Sequence, residues 1–138
     1  MSDRKIIIST SDHRRLNDLL GNAFAAAIEP RSYLTALRAE LQRAEVVRSE
    51  EMPADVVTMN SKVRLFHLHD NESDDYTLVY PELADISSNK LSVLAPIGTA
   101  ILGYRIGDVI TWQVPAGARE LMIEELLYQP EREGALHL

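Results

Sequence analysis

Apolar positions follow two different rhythms along the chain, and the change falls near residue 50. From Ser9 to Val47 the spacing is helical. Leu16, Leu19 and Leu20 stand at i, i+3, i+4, while Leu34, Leu37, Leu41 and Ala44 repeat in a 3-4-3 rhythm, the spacing of a seam against a neighbouring helix. Ser9, Thr10 and Ser11 offer N-caps ahead of Asp12, an acid that favours the dipole of a first turn. Gly21-Asn22 reads as the stop of the first helix, and Pro30 with Ser32 as the start of the second. Two helices joined by a short connection are antiparallel neighbours, and the second is expected to be about 24 Å long. The pattern therefore predicts a short helical hairpin. Glu50-Glu51-Met52-Pro53 ends it, because proline disfavours helical geometry at the residue before it.

Beyond Pro53 the rhythm becomes strand-like. Val56 to Met59 is β-rich, Val63 to Leu68 alternates, and Asp70 to Ser73 is a turn before a strand from Tyr76 to Tyr80 that Pro81 stops. Leu91 to Leu94 predicts a short apolar strand. Pro96 to Leu102 predicts a short helix, with proline in its first turn and Gly103 at its end. Arg105 to Asp108 turns into a strand over Val109 to Val114, where Ile110, Trp112 and Val114 share a face, and Pro115-Ala116-Gly117 reverses the chain. Arg119 to Tyr128 has high helix propensity. The reversal just before it favours a strand paired with Val109 to Val114, and burial context overrides a weak propensity. The fold class is α+β, with a helical hairpin over 1–50 and an antiparallel β domain over 51–138.

Composition narrows the function. The apolar and charged fractions, 46% and 25%, are those of a soluble globular protein. No apolar run approaches the roughly 18 residues of a membrane span. Ile6-Ile7-Ile8 is too short for a signal-peptide core, so the expected location is the cytoplasm. With no cysteine there is no disulfide, thiolate zinc site or cysteine nucleophile. The net charge of −7 is uneven: residues 1–50 carry +1 and residues 51–138 carry −8. An acidic body disfavours duplex DNA, whose affinity comes from phosphate neutralisation, and suits a protein partner with basic surface. Arg14, Arg15, Arg31, Arg38, Arg43 and Arg48 decorate the hairpin, mostly as solvated helix surface.

Catalytic constellations are weak. His67 and His69 share a strand face with Asp70 next to them, a partial metal set better read as surface residues. Asp74-Asp75 and Glu124-Glu125 are adjacent pairs that point to opposite faces of a strand and make no dyad. There is no phosphate-binding glycine loop of the usual spacing, and nothing links serine and histidine into a triad. No enzyme activity, metal or cofactor is expected.

Met52-Pro53-Ala54-Asp55-Val56-Val57-Thr58-Met59-Asn60-Ser61 resembles the signature stretch of the Rnk family, the regulators of nucleoside diphosphate kinase. Thr77 to Pro81, Leu91 to Gly98 and Tyr128 to Glu131 continue the resemblance in order. The same segments more distantly resemble the C-terminal domain of the Gre transcript-cleavage factors, including a Gly-Asp turn matched by Gly107-Asp108.

The resemblance implies a coiled-coil finger followed by an FKBP-like domain that docks on the rim of the RNA polymerase secondary channel. The docking segment corresponds to Ala95, Pro96 and Ile97, with Ala95 in place of a Gre serine. Those three also suit a plain strand-to-helix turn. On the finger, Glu29, Arg31 and Arg38 form the implied contact face. Gre-type cleavage needs two acids at the tip to hold magnesium. The candidate tip, Gly21 to Ser32, contains Glu29 alone, with Asp18 set back on the first helix. The implied function is an RNA polymerase-binding regulator of transcription elongation that competes with Gre-type factors without stimulating cleavage. The alternative is direct binding to nucleoside diphosphate kinase. Prolyl isomerase activity, raised by the FKBP-like fold, needs a deep aromatic pocket that eight aromatic residues do not readily supply. The leucine seam is satisfied within the hairpin, so a monomer is expected.

Overall fold

The computed structural model describes residues 6–26, 31–114 and 117–133. Two long helices, α1 (Thr10–Ala26) and α2 (Arg31–Arg43), are bracketed by short strands β1 (Ile7–Ser9) and β2 (Glu45–Val47), which pair in parallel. The seam is as the spacing predicted. Leu16, Leu20, Leu34, Leu37 and Leu41 are all buried, with Leu19 and Ala44 packed beside them. Ser9 caps α1, its hydroxyl accepting the Asp12 N–H at 3.2 Å. His13 Nε2 donates to the Leu41 carbonyl at 3.0 Å, so the start of α1 lies beside the end of α2.

Three expectations for this region need correction. Gly21-Asn22 does not stop α1, which runs on to Ala26. Gly21 is exposed and crowded by nothing, and Ala23, Ala25 and Ala26 after it are strong helix formers that carry the helix past it. The second helix ends at Arg43, not at Pro53, and so is about 20 Å long. Ile6 to Ser9 and Glu45 to Val47 are extended because each completes the other's backbone hydrogen bonds: Glu45 N–H donates to the Ile6 carbonyl at 2.8 Å.

The remaining strands, β3 (Lys62–His67), β4 (Glu72–Val79), β5 (Lys90–Ser92), β6 (Val109–Val114) and β7 (Gly117–Tyr128), form one sheet in the order β5-β4-β3-β7-β6. All pairs are antiparallel except β4 with β5. Arg119 to Tyr128 is a strand as argued, with Val114 opposite Gly117. Val63, Leu65, Leu121 and Ile123 lie on the inner face, in one core with residues of α3 (Pro96–Ile101), which packs against β5, β6 and α2. The buried residues of helices and sheet form one continuous core. A last helical turn, α4 (Pro130–Glu133), follows β7.

Val56 to Met59 is not a strand. Only Val56 makes a bridge, to Arg105. Asn60 adopts a left-handed φ of 67° that breaks the extension, and the Ser61 hydroxyl takes the Thr58 N–H at 2.9 Å in place of a ladder bond. Among the described residues no helix is long and apolar enough to cross a membrane.

Candidate functional site

Ala95, Pro96 and Ile97 open α3, and their surroundings are tightly constrained. Ala95 occupies the cap position in extended geometry, and its methyl has nothing to give the orphan N–H groups. Nearby hydroxyls serve instead: Ser92 Oγ accepts the Leu94 N–H at 3.1 Å, and Thr99 Oγ1 donates to the Val93 carbonyl at 2.7 Å. A Cβ on Gly98 would run into the Ser92 carbonyl oxygen, so only glycine allows this closeness. Pro96 holds the first helical position, where its missing N–H costs nothing. Ala95 and Ile97 are both half-buried, and Ile97 packs on the core.

Arg38 is exposed on α2, and Arg31 begins that helix two turns earlier, seven residues away. Glu29 lies outside the described residues, as does most of the connection between the helices. Asp18 is exposed on α1. Because α3 packs on α2, the two groups of residues belong to neighbouring helices of one body.

Sequence reasoning missed the polar root that joins finger to sheet. The Asp12 carboxylate, buried at the base of α1, accepts from the Tyr80 hydroxyl at 3.2 Å and from the Met59 N–H. Burial, with the charge of Glu131, pushes its pKa up to about 6; the two hydrogen bonds and Arg15 pull the other way. Burial and Asp12 also push the Tyr80 hydroxyl well up. The Arg15 guanidinium lies 4.1 Å from the centre of the Tyr80 ring, a cation–π contact. Thr58 Oγ1 donates to Glu131 at 2.8 Å, and fully buried Gln129 donates to the Pro53 and Val56 carbonyls, both at 2.8 Å. The signature stretch from Met52 to Ser61 is thus an irregular crossing whose carbonyls at Pro53, Ala54 and Val56 accept from Gln129 and Arg132 near the chain's far end, while Val57 and Asn60 bond to the backbone of Tyr104 and Leu78. Its only visible sign was an unusual buried-type mix of Val, Thr and Ser that is followed by no ladder partner.

Gly103 bolts the root in place. Its φ is +81°, its carbonyl accepts the Ile7 N–H at 3.2 Å, and a Cβ there would strike Ile6. On the sheet, His67 Nε2 lies 3.2 Å from Asp74, and Arg64 reaches Asp75 at 2.9 Å and Glu125 at 3.3 Å. Arg64 holds the Asp75 carboxyl below its ordinary range. No group of three or more metal-ligating side chains exists among the described residues.

A family model described as the Rnk N-terminus matches residues 4–47, and one described as the C-terminal part of transcription elongation factor GreA/GreB matches residues 52–128. The chain is 47% identical over 135 residues to Regulator of nucleoside diphosphate kinase of Escherichia coli (strain K12), covering 97% of each. It is 39% identical over 93 residues to Transcription elongation factor GreA of Thermoanaerobacter pseudethanolicus, covering 67% of this chain and 59% of that one. A solved structure, the prokaryotic transcription elongation factor GreA/GreB from Nitrosomonas europaea, matches with a TM-score of 0.76 and 46% identity over 90% of this chain and all of that one.

Proposed function

The chain belongs to the Rnk family, and on that premise we propose that it binds RNA polymerase at the secondary channel and regulates transcription elongation, competing with Gre-type factors without stimulating RNA cleavage. In this reading residues 1–50 are the finger and residues 51–138 an FKBP-like docking unit. Ala95, Pro96 and Ile97 meet the polymerase rim, and Glu29, Arg31 and Arg38 face the channel. The protein is a cytoplasmic monomer without catalytic chemistry of its own.

The observation that carries this reading is the joining of a GreA/GreB-type body to a finger whose tip, Gly21 to Ser32, offers one carboxylate. A lone carboxylate leaves a second magnesium ion short of the charge that a Gre-type pair supplies. The rigid root supports the same reading, since a finger that must enter a channel gains from being held at a set angle to its docking surface.

The test is binding of the purified chain to RNA polymerase core, with and without a Gre factor. Saturable binding that the Gre factor displaces, with no added cleavage of a backtracked complex, is the expected result. No binding at micromolar concentration ends the reading. The name of the Escherichia coli relative favours a second reading, direct binding to nucleoside diphosphate kinase. Pull-down with purified kinase in the absence of polymerase distinguishes the two.

A further inference from the structure

The edge of the sheet at β6 carries a set of features with no role in the function above. Among the described residues β6 pairs with β7 alone. Ile123 N–H donates to the Asp108 carbonyl at 3.0 Å, so Asp108 faces β7. Alternation along an antiparallel pair then turns the N–H and C=O groups of Val109, Thr111 and Gln113 away from β7. Edge strands are usually blunted by a charge, a proline or a bulge. The β6 sequence, Val-Ile-Thr-Trp-Gln-Val, has no charge and no proline, and its register with β7 runs without a break.

The sheet face beside that edge is apolar where it meets solvent. Val109, Met122 and Phe66 stand opposite one another across β6, β7 and β3, on the face away from the core, and Val109 is 52% exposed. The next row holds Thr111 and Glu120, with Leu68 (41% exposed) bonded through its N–H to the Glu120 carbonyl. Acids border the stripe: Glu120 and Glu124 are exposed, and Glu125 and Asp75 flank Arg64.

We propose that the free edge of β6 is a strand-addition site for an extended segment of a protein partner, apolar at alternate positions and flanked by lysine or arginine. Backbone groups of Val109, Thr111 and Gln113 supply the hydrogen bonds, and the Val109–Met122–Phe66 stripe takes alternate side chains. Charge selects the occupant. Residues 51–138 carry −8, so a second copy brings a like-charged body to the edge, whereas a basic segment is attracted to it. The stripe lies on the sheet face away from the core, whereas Ile97 and Ile101 of α3, which also packs against β6, belong to the core.

The test is an amide-resolved NMR titration of the full-length chain with a short, end-blocked peptide of alternating valine and threonine, capped by lysines at both ends. Expected are shifts centred on Val109 to Gln113, Met122 and Phe66. A glutamate-capped version should bind about tenfold more weakly at low salt. Thr111→Lys, an exposed change, should keep the unfolding midpoint and weaken the lysine-capped peptide by at least about tenfold. It should leave polymerase binding unchanged, which separates failure of this site from failure of the docking reading. Shifts on the helices, equal affinity of the two peptides, an indifferent Thr111→Lys variant, or silence at millimolar peptide would each overturn the proposal. So would a concentration-dependent dimer, seen in sedimentation and abolished by Thr111→Lys, which gives the edge to a second copy.

Discussion

The finger root and the sheet are both well buried, yet they are held by different chemistry. The buried centre of the inner sheet face is apolar, with Val63, Leu65, Leu121 and Ile123 fully enclosed and the His67–Asp74 pair at its margin. At the root the leucine seam of α1 and α2 gives way to Ser9, Asp12, Thr58, Ser61 and Gln129, all buried and tied by hydrogen bonds. Apolar packing is non-directional and indifferent to pH, whereas buried polar networks set a defined geometry and respond to protons. The sheet is thus a platform, and the root is the part that fixes how α1 and α2 meet it.

Leu37→Ala attacks what the two regions share. It should cost about 2–5 kcal/mol in denaturant unfolding, because Leu37 is fully buried in the common core. Helix and sheet signals should be lost in one transition. Helical signal melting first would make the root a separable unit and break the comparison.

Asp12→Asn sharpens it in the opposite direction. Asp12 rises from an ordinary 3.8 to about 6 in the folded chain, so the stability it contributes is present below about pH 4 and disappears as pH rises through about 6. Above that, the ionised carboxylate costs the folded state about 3 kcal/mol. Asparagine keeps the acceptor for the Tyr80 hydroxyl and the Met59 N–H without the charge. The variant should melt higher than the parent at pH 7.5 and match it near pH 4, measured by thermal unfolding across that range. Equal melting at both pH values would remove Asp12 as a source of pH response.

Gln129→Ala should cost about 1–3 kcal/mol by removing the side-chain donor to the Pro53 and Val56 carbonyls, and hydrogen exchange should quicken between Met52 and Ser61. The smallest effect belongs to the solvent side of the sheet. Arg64→Ala breaks the solvent-accessible pairs with Asp75 and Glu125, and the unfolding midpoint should move little.

These differences follow what was legible in the chain. The α2 seam, β3, the second half of β4 and the β6–β7 hairpin were readable because each is a local period joined to a local stop: Leu34-Leu37-Leu41, Val63-Leu65, and the reversal before Gly117; the polar first half of β4, from Glu72 to Asp75, was read as turn and pairs as strand with β3. The segment Ala95 to Ile97 was readable as a helix start because Pro96 and Gly98 leave few alternatives. The root was not readable. Ile7 to Ser9 became a strand only because residues 45–47 return beside it, and Gln129 serves carbonyls 73 and 76 positions earlier. The solvent stripe of Phe66, Met122 and Val109 likewise appears only when three strands are set in register.

By itself the sequence determined the change of period near residue 50, the leucine seam, the hairpin of β6 and β7, the uneven charge and the single carboxylate between Gly21 and Ser32, because propensity, spacing and composition act over a few residues. Only the tertiary structure decided that β1 closes the root, that Asp12 is buried against Tyr80 within the field of Glu131, and that β6 ends the sheet with its edge free of partners among the described residues. The reason is physical: burial, hydrogen-bond completion and strand order depend on which distant segments meet, and a local pattern carries no information about its neighbour in space.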